Sequence, residues 1–148
     1  MPRVNVDLPD QFIFSMERTV GISEVNFARH LDSVSMVNYL HEARLQFLAS
    51  LGVTEANVCG LSLVVTDLAI EFKAESFAGD RLILDVGLGD FNRYGFDIVI
   101  QVTNSALESV VCAAKQGVVF FDFDSHELCE IPQAFQARLD PILNRRVA

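Results

Sequence analysis

The segment DSVSMVNYLHEARLQFLASLG, residues 32–52, decides the fold. Its large apolar side chains recur at intervals of three and four, which is the spacing of one face of an α-helix. They are Val37, Leu40, Phe47, Leu48 and Leu51. Asp32 offers an N-cap oxygen at the start, and Gly52 stands just past the end, where helices commonly stop. The spacing therefore predicts one long helix of roughly 25 Å, at 1.5 Å per residue.

The sequence on either side of this helix alternates apolar and polar residues, as half-buried β-strands do. One such segment, 12–22, precedes the helix. The segments after it cover 61–73, 82–88, 96–103 and 110–123, and a short helix is expected at 132–143. Short turns favour antiparallel neighbours, and the long helix is the only element that can cover the apolar face of the sheet. We therefore expect an α+β fold in which a curved antiparallel β-sheet wraps around one central helix.

Length and composition fit one globular domain. The chain has 148 residues, of which 51% are hydrophobic and 21% charged, and these values exclude a disordered or coiled-coil protein. We expect a lead-in at residues 1–11 and a single domain at residues 12–148. The formal charge of −9 argues against a nucleic-acid binder or a basic membrane-surface protein.

Cysteine use and hydropathy indicate the compartment. Three cysteines in a chain with a large core read as reduced thiols, and no spacing of Cys and His typical of a metal site is present. The N-terminus has no long apolar stretch of the kind found in signal peptides, and the longest apolar run is too short to span a bilayer. We expect a cytoplasmic protein with no membrane insertion, no metal and no cofactor.

Three stretches together resemble a known enzyme family. ISEVNFARHLDS at residues 22–33, followed by NYLHEAR at residues 38–44, is similar to the segment around the central helix in hotdog-fold acyl-CoA thioesterases of the 4-hydroxybenzoyl-CoA thioesterase type. AIEFK at residues 69–73 and FAGD at residues 77–80 resemble that family's second strand and its Gly-Asp turn. GVVFFD at residues 117–122 and the Ile-Pro pair at 131–132 resemble its last strand and exit.

The resemblance implies a homodimer, often paired again into a homotetramer, that hydrolyses acyl-CoA or acyl-carrier-protein thioesters. It places the active site at the subunit interface, at the N-terminus of the central helix. Unpaired backbone amides at a helix start, aided by the macrodipole, suit a developing oxyanion. By position, the amides of Ser33 and Val34 are the expected donors.

One departure from the family pattern concerns the chemistry directly. The Asp that usually serves as nucleophile or general base aligns with Asn26, and the Gly before the family's His aligns with Arg29. Asn has no carboxylate to accept a proton, although it can hydrogen-bond a water or a thioester oxygen. The thioesterases of enediyne polyketide biosynthesis resemble this chain in having Asn there, with an Arg eighteen residues on, which is Arg44 here. The match suggests that Asn26 and Arg44 position substrate and water, while a structural role for Arg44 stays open.

Other side chains are candidates for the missing acid or base. Glu42 lies on the central helix, where another branch of hotdog thioesterases carries its acid, and it can instead be a structural partner of an arginine. Strand alternation would place Glu24 on the same side as Asn26. His30 matches the family's His before the helix, with either a catalytic or a structural role. Asp32 is more simply the helix cap.

Coenzyme A carries phosphates, so basic side chains are expected at the mouth of the site. Arg93 stands beside a Gly turn where the family often has an arginine. Lys73 and Arg81 are further CoA-binding candidates. Each of the three can instead be a solvated surface charge.

Two further functions remain open beside acyl-CoA hydrolysis. A carrier-protein thioesterase of a biosynthetic cluster fits the pair Asn26 and Arg44. A non-catalytic acyl-CoA-binding hotdog protein fits the absence of the usual Asp.

Overall fold

The computed structural model describes residues 3–144 of the chain. Residues 1, 2 and 145–148, which belong to the expected lead-in and to the expected domain, lie outside the described part. In chain order the elements are β1 (Phe14–Thr19), α1 (Ser33–Ser50), β2 (Ser62–Phe72), β3 (Arg81–Gly89), β4 (Gly95–Asn104), β5 (Ser109–Asp122), β6 (Glu127–Cys129) and α2 (Gln133–Leu143). A short 3-10 turn at Ile22–Glu24 lies between β1 and α1.

The strands form one antiparallel sheet in the order β1-β3-β4-β5-β2, and β6 pairs with the end of β5. Side chains alternate between the two faces of the sheet along each strand. In β3 and β4 every second residue, on one face, is buried in the core, namely Leu82, Leu84, Val86 and Leu88 of β3 and Phe96, Ile98, Ile100 and Val102 of β4. Strand β2 pairs with β5 along one edge only, and a bulge between Val65 and Asp67 interrupts its register. The free edge of β2 is therefore one of the two outer edges of the sheet.

Helix α1 packs its broad apolar face on the sheet, as its spacing predicts. Tyr39, Leu40, Ala43 and Leu48 are fully buried, in one core with inward-facing residues of β3 and β4. The Asp32 side chain accepts a hydrogen bond from Val34 N–H and caps the helix. Gly52 adopts a φ of 77°, the left-handed conformation that lets the chain leave the helix. The expected α+β architecture, with one long helix covering an antiparallel sheet, is confirmed.

Three local features differ from the pattern in the sequence. Strand β1 ends at Thr19, because the chain then turns through the 3-10 segment instead of continuing to residue 22. The short strand β6 has no period of its own in the sequence, since three residues are too few to show one. Helix α2 begins at Gln133, with Pro132 as its N-cap residue.

The N-terminal segment crosses the face of the sheet opposite α1. Val6 is 8% exposed and packs against Val99 and Ala113, and its N–H donates to the Glu71 carboxylate. Within residues 3–144, every helix falls short of the length and apolar character that crossing a bilayer requires.

Candidate active site

The start of α1 is held against the chain that leaves β2. Leu31 N–H donates to Ser76 O at 2.7 Å, and His30 and Phe77 form an isolated antiparallel bridge. These contacts join two segments that are more than forty residues apart. They bring the loop before α1 and the exit of β2 together at one end of the sheet.

A cleft of about 250 Å³ opens at this junction. Its walls combine polar groups of the loop and helix start with apolar side chains from the helix and the strands. The lining residues are Asn26, His30, Leu31, Asp32, Ser33, Met36, Phe72, Ala74, Glu75, Ser76 and Val111. The cleft therefore lies at the helix N-terminus, where the sequence places the site.

Asn26 lies in the cleft but uses its oxygen within the loop. Asn26 Oδ1 accepts hydrogen bonds from Ala28 N–H at 2.9 Å and His30 N–H at 3.2 Å. Backbone amides can only donate, so the oxygen must face them and the amide nitrogen is left for a ligand. Asn26 is therefore equipped as a hydrogen-bond donor and has no group that takes a proton.

The two candidate oxyanion amides differ in availability. Val34 N–H is taken by the Asp32 carboxylate at 3.2 Å, whereas none of residues 3–144 accepts a hydrogen bond from Ser33 N–H. Ser33 also lines the cleft. The Ser33 amide is thus the one that the structure leaves open to a substrate oxygen.

His30 and Glu75 form a pair within the cleft. His30 Nε2 lies 3.4 Å from Glu75 Oε2, and the imidazole ring meets the Phe77 ring edge to face at 5.1 Å between centroids. His30 belongs to the predicted site, but Glu75 does not, because nothing in the local pattern reveals that the exit of β2 pairs with the loop before α1.

Glu24 and Glu42 lie outside this cleft, in an ion-pair network between β1 and α1. The Arg18 guanidinium contacts both carboxylates and stacks on the Tyr39 ring at 4.5 Å from its centroid. Tyr39 Oη donates to Glu24 Oε1 at 2.6 Å, and Gly21 N–H donates to the same oxygen. Glu24 sits in the 3-10 turn, so strand alternation does not carry it to the side of Asn26.

The network determines how these groups titrate. Burial alone would raise the pKa of the Glu24 carboxyl, but the hydrogen bonds from Tyr39 and Gly21 and the charge of Arg18 hold that pKa below its usual 4.5. Burial and the bond to Glu24 raise the pKa of the Tyr39 hydroxyl to about 12. Both groups therefore remain in their ordinary charge states at neutral pH, which suits a structural role.

Arg44 lies further along α1 and also outside the cleft. It is 6% exposed, and its guanidinium donates to Glu55 Oε1 at 3.1 and 3.2 Å and to Gln116 Oε1 at 2.9 Å. It also contacts His41 Nδ1. Eleven residues separate it from Ser33, or roughly 16 Å along a helix. Within one protomer the structure does not bring Arg44 and Asn26 together.

The three basic CoA candidates lie at two ends of the sheet. Lys73 directly follows Phe72 of the cleft, and Arg81, paired with Glu17, begins β3 at the same end. Arg93 lies in the turn between β3 and β4 at the opposite end, where it pairs with Glu130. Of the three candidates, Lys73 is thus the one that adjoins the cleft along the chain.

Arg29 occupies the position where the family has Gly, and the backbone conformation here explains the family's preference for Gly. Its φ is 65°, in the left-handed region that Gly adopts at little cost. Arg29 N–H donates to Asn26 O at 2.9 Å, so the larger residue is accommodated in the tight loop that Asn26 caps.

Residues 3–144 contain neither a cluster of metal-ligating side chains nor a reactive thiol at Cys112. No three His, Cys, Asp or Glu side chains of residues 3–144 lie together as metal ligands would. Burial raises the pKa of the Cys112 thiol to about 12, with a further contribution from the Glu71 charge. Cys112 is therefore an inert core residue.

Solved structures with the same fold include several thioesterases. A 1,4-dihydroxy-2-naphthoyl-CoA thioesterase from Synechocystis superposes with a TM-score of 0.78 at 19% identity, covering 86% of this chain and 95% of its own. A gentisyl-coenzyme A thioesterase gives 0.73 at 15% identity, covering 84% and 98%. A 12:0-ACP thioesterase from Umbellularia californica gives 0.76 at 17% identity, covering 87% of this chain and 50% of its own. At these identities the likeness shows the fold.

The family itself follows from a sequence comparison. No curated protein sequence matches the chain significantly. The family model of the Thioesterase-like superfamily, in contrast, matches residues 20–139, which include the cleft, α1 and all four long strands. The chain therefore belongs to the Thioesterase-like superfamily and has the hotdog fold of its thioesterases.

Proposed function

We propose that the cleft at the start of α1 hydrolyses an acyl thioester of coenzyme A or of an acyl-carrier protein. The observation that carries the proposal is that two residues lining the cleft, Ser33 and Asn26, each keep a hydrogen-bond donor that no described residue uses, Ser33 N–H and Asn26 Nδ2. Both are fixed before substrate arrives, one by the helix and the other by its own loop. Fixed donors of this kind stabilise the oxygen that becomes negative in acyl transfer.

The cleft also holds a candidate base. A water molecule attacks the thioester carbonyl carbon, and His30, which faces Glu75, takes the proton. The carbonyl oxygen becomes an oxyanion held by Ser33 and Asn26. When the intermediate collapses, the C–S bond breaks, and His30 returns the proton to the departing thiolate. The products are the carboxylic acid and the free thiol, which balance one thioester and one water.

The free edge of β2 supports a dimer that borders this cleft. Val65, Leu68 and Phe72 are 36%, 45% and 55% exposed on a strand with one unpaired edge. Exposed apolar edges of this kind favour pairing with another strand. Antiparallel pairing with a second copy sets the Arg93 end of one sheet beside the cleft end of the other. Basic side chains of both copies then flank one site, and Lys73 and Arg93 are the candidates to hold the CoA phosphates.

Three free cysteines in the described residues are consistent with a reducing compartment, so we place the reaction in the cytoplasm. The comparison proteins act on aromatic acyl-CoAs in two cases and on an acyl-carrier protein in a third. The cleft favours neither carrier, since its lining supplies no selective group for one of them.

Thiol release from benzoyl-, hexanoyl- and dodecanoyl-CoA tests the proposal. Asn26→Ala removes one oxyanion donor and is expected to lower kcat by about 100-fold or more. Asn26→Asp keeps an acceptor for the two loop amides, so the loop folds, but it removes the donor and is expected to be slow as well. His30→Gln is expected to lower kcat with little change in KM. Wild-type rates no higher than the uncatalysed rate on all three esters, and on the same acyl groups carried by an acyl-carrier protein, would contradict the proposal.

A binding protein without catalysis is the second candidate. One observation favours it. The Asn26 side-chain oxygen accepts hydrogen bonds from the loop, so the position that usually carries the carboxylate offers a ligand only a hydrogen-bond donor. In that case an acyl-CoA binds without thiol release, and Asn26→Asp restores hydrolysis. A gain of activity in Asn26→Asp therefore separates the two functions.

A further inference from the structure

Ser76 carries a buried hydroxyl with nothing to bond. The residue is 3% exposed, and Ser76 Oγ is the one buried side-chain nitrogen or oxygen in the described part of the chain without a hydrogen-bond partner. Leaving a buried hydroxyl unpaired costs about 1–3 kcal/mol. Proteins keep few such groups, so each one calls for a reason.

The position of Ser76 supplies a reason. It lines the cleft together with Asn26, His30 and Ser33. Its backbone oxygen accepts the hydrogen bond from Leu31 N–H, and Glu75, the partner of His30, is the preceding residue. The backbone of Ser76 is thus fixed beside the residues assigned to the reaction.

The other groups of the cleft define what the hydroxyl adds. Ser33 N–H and Asn26 Nδ2 can only donate, so they suit the carbonyl oxygen. An attacking water needs acceptors for its two O–H bonds, so that a lone pair points at the carbonyl carbon. His30 accepts one of them. Ser76 lines the same cleft beside the apolar Met36 and Val111, each 2% exposed, and its unpaired hydroxyl can accept the other.

We propose that Ser76 is a positioning residue whose hydroxyl accepts a hydrogen bond from the attacking water. The proposal rests on the thioester hydrolysis described above. Ser76 forms no covalent bond and keeps its own proton, while the water forms the new C–O bond and gives its proton to His30. The hydroxyl lowers the barrier by fixing the direction of attack.

Ser76→Ala tests this role through three separate readouts. The first is kcat for the fastest of benzoyl-, hexanoyl- and dodecanoyl-CoA, which is expected to fall by about 10- to 100-fold. The second is the Kd of a thioether analogue of the same ester, which is expected to stay the same because the water, and not the acyl group, meets Ser76. The third is the urea midpoint, which is expected to hold or rise because no hydrogen bond is lost.

A matched Ser-to-Ala control lies outside the cleft. Ser50 Oγ donates to Phe47 O at the far end of α1, so Ser50→Ala is expected to keep the wild-type kcat. An unchanged kcat in Ser76→Ala overturns the proposal. Weaker binding of the analogue by Ser76→Ala would show that the hydroxyl contacts the acyl group. A lower urea midpoint would show a structural role. Either result also overturns the proposal. Absence of thiol release by the wild type instead refutes hydrolysis itself and, with it, the role of Ser76.

Discussion

Arg44 is expected to serve stability and to leave the chemical step unaffected. Arg44→Met keeps the length and apolar stem of the side chain but removes the guanidinium. Gln116 Oε1, in a residue that is 2% exposed, then loses its donor, which costs about 1–3 kcal/mol. The Glu55 carboxylate loses its ion pair as well, but its side chain is 30% exposed and can turn to water. The expected loss in the free energy of unfolding is therefore about 3 kcal/mol, at the lower end of the range for breaking a buried pair.

Urea unfolding followed by far-ultraviolet circular dichroism measures this loss, since the chain has no Trp to report by fluorescence. With a slope of about 2 kcal/mol/M, the midpoint falls by about 1.5 M. Arg81→Met is the control, because Arg81 is 64% exposed in a surface pair with Glu17, and such pairs contribute about 0–1 kcal/mol. The kcat of folded Arg44→Met is expected to stay within about threefold of wild type. A nearly unchanged midpoint together with a large fall in kcat would refute this reasoning and place Arg44 at the substrate.

Three more outcomes are expected. The folded-state pKa of Glu24 lies below its usual 4.5, so the stability that this carboxylate provides is complete above pH 4.5 and is lost as the pH falls through the lower folded-state value. Glu24→Gln should therefore flatten the acid side of the curve of urea midpoint against pH. An unchanged curve would argue against the ion-pair network of Glu24, Arg18 and Tyr39. Arg29→Gly relieves a left-handed φ at an exposed position and should raise the free energy of unfolding by about 1 kcal/mol, whereas a loss would show that the Arg29 side chain has a structural partner. Leu68→Lys places a charge on the free edge of β2 and should shift the proposed dimer toward monomer in sedimentation velocity. A dimer that this substitution leaves unaltered would place the interface elsewhere.

The long elements of the fold are predictable because their periods are strong. Helix α1 begins and ends where Asp32 and Gly52 indicate, since a cap oxygen and a left-handed glycine act locally. The order of strands in the sheet is a non-local property, and the alternation within β2 contains nothing about its pairing with β5. Strand β6 is not predictable either, because it has only three residues and is defined by its pairing with β5.

Only those residues of the candidate site that lie close together in the sequence are predictable. Asn26, His30 and Ser33 belong to one loop and one helix start, and the resemblance to the family points to all three. Glu75 and Ser76 enter the cleft because Leu31 N–H bonds to Ser76 O, a contact between distant segments. Glu24 and Glu42 carry the carboxylate that a catalytic acid or base needs. In the structure, however, Arg18 pairs with both and Tyr39 donates to Glu24, and the sequence pattern does not show these contacts.

The most direct measurement is a crystal structure with a non-hydrolysable ketone analogue of an acyl-CoA, in which a methylene group replaces the thioester sulfur. The ketone oxygen stands in for the thioester carbonyl oxygen. It is predicted to lie about 3 Å from both Ser33 N and Asn26 Nδ2, within hydrogen-bonding distance of the two donors. An analogue that binds with its ketone oxygen away from the start of α1, out of reach of both nitrogens, would contradict the assignment of this cleft as the site of thioester hydrolysis.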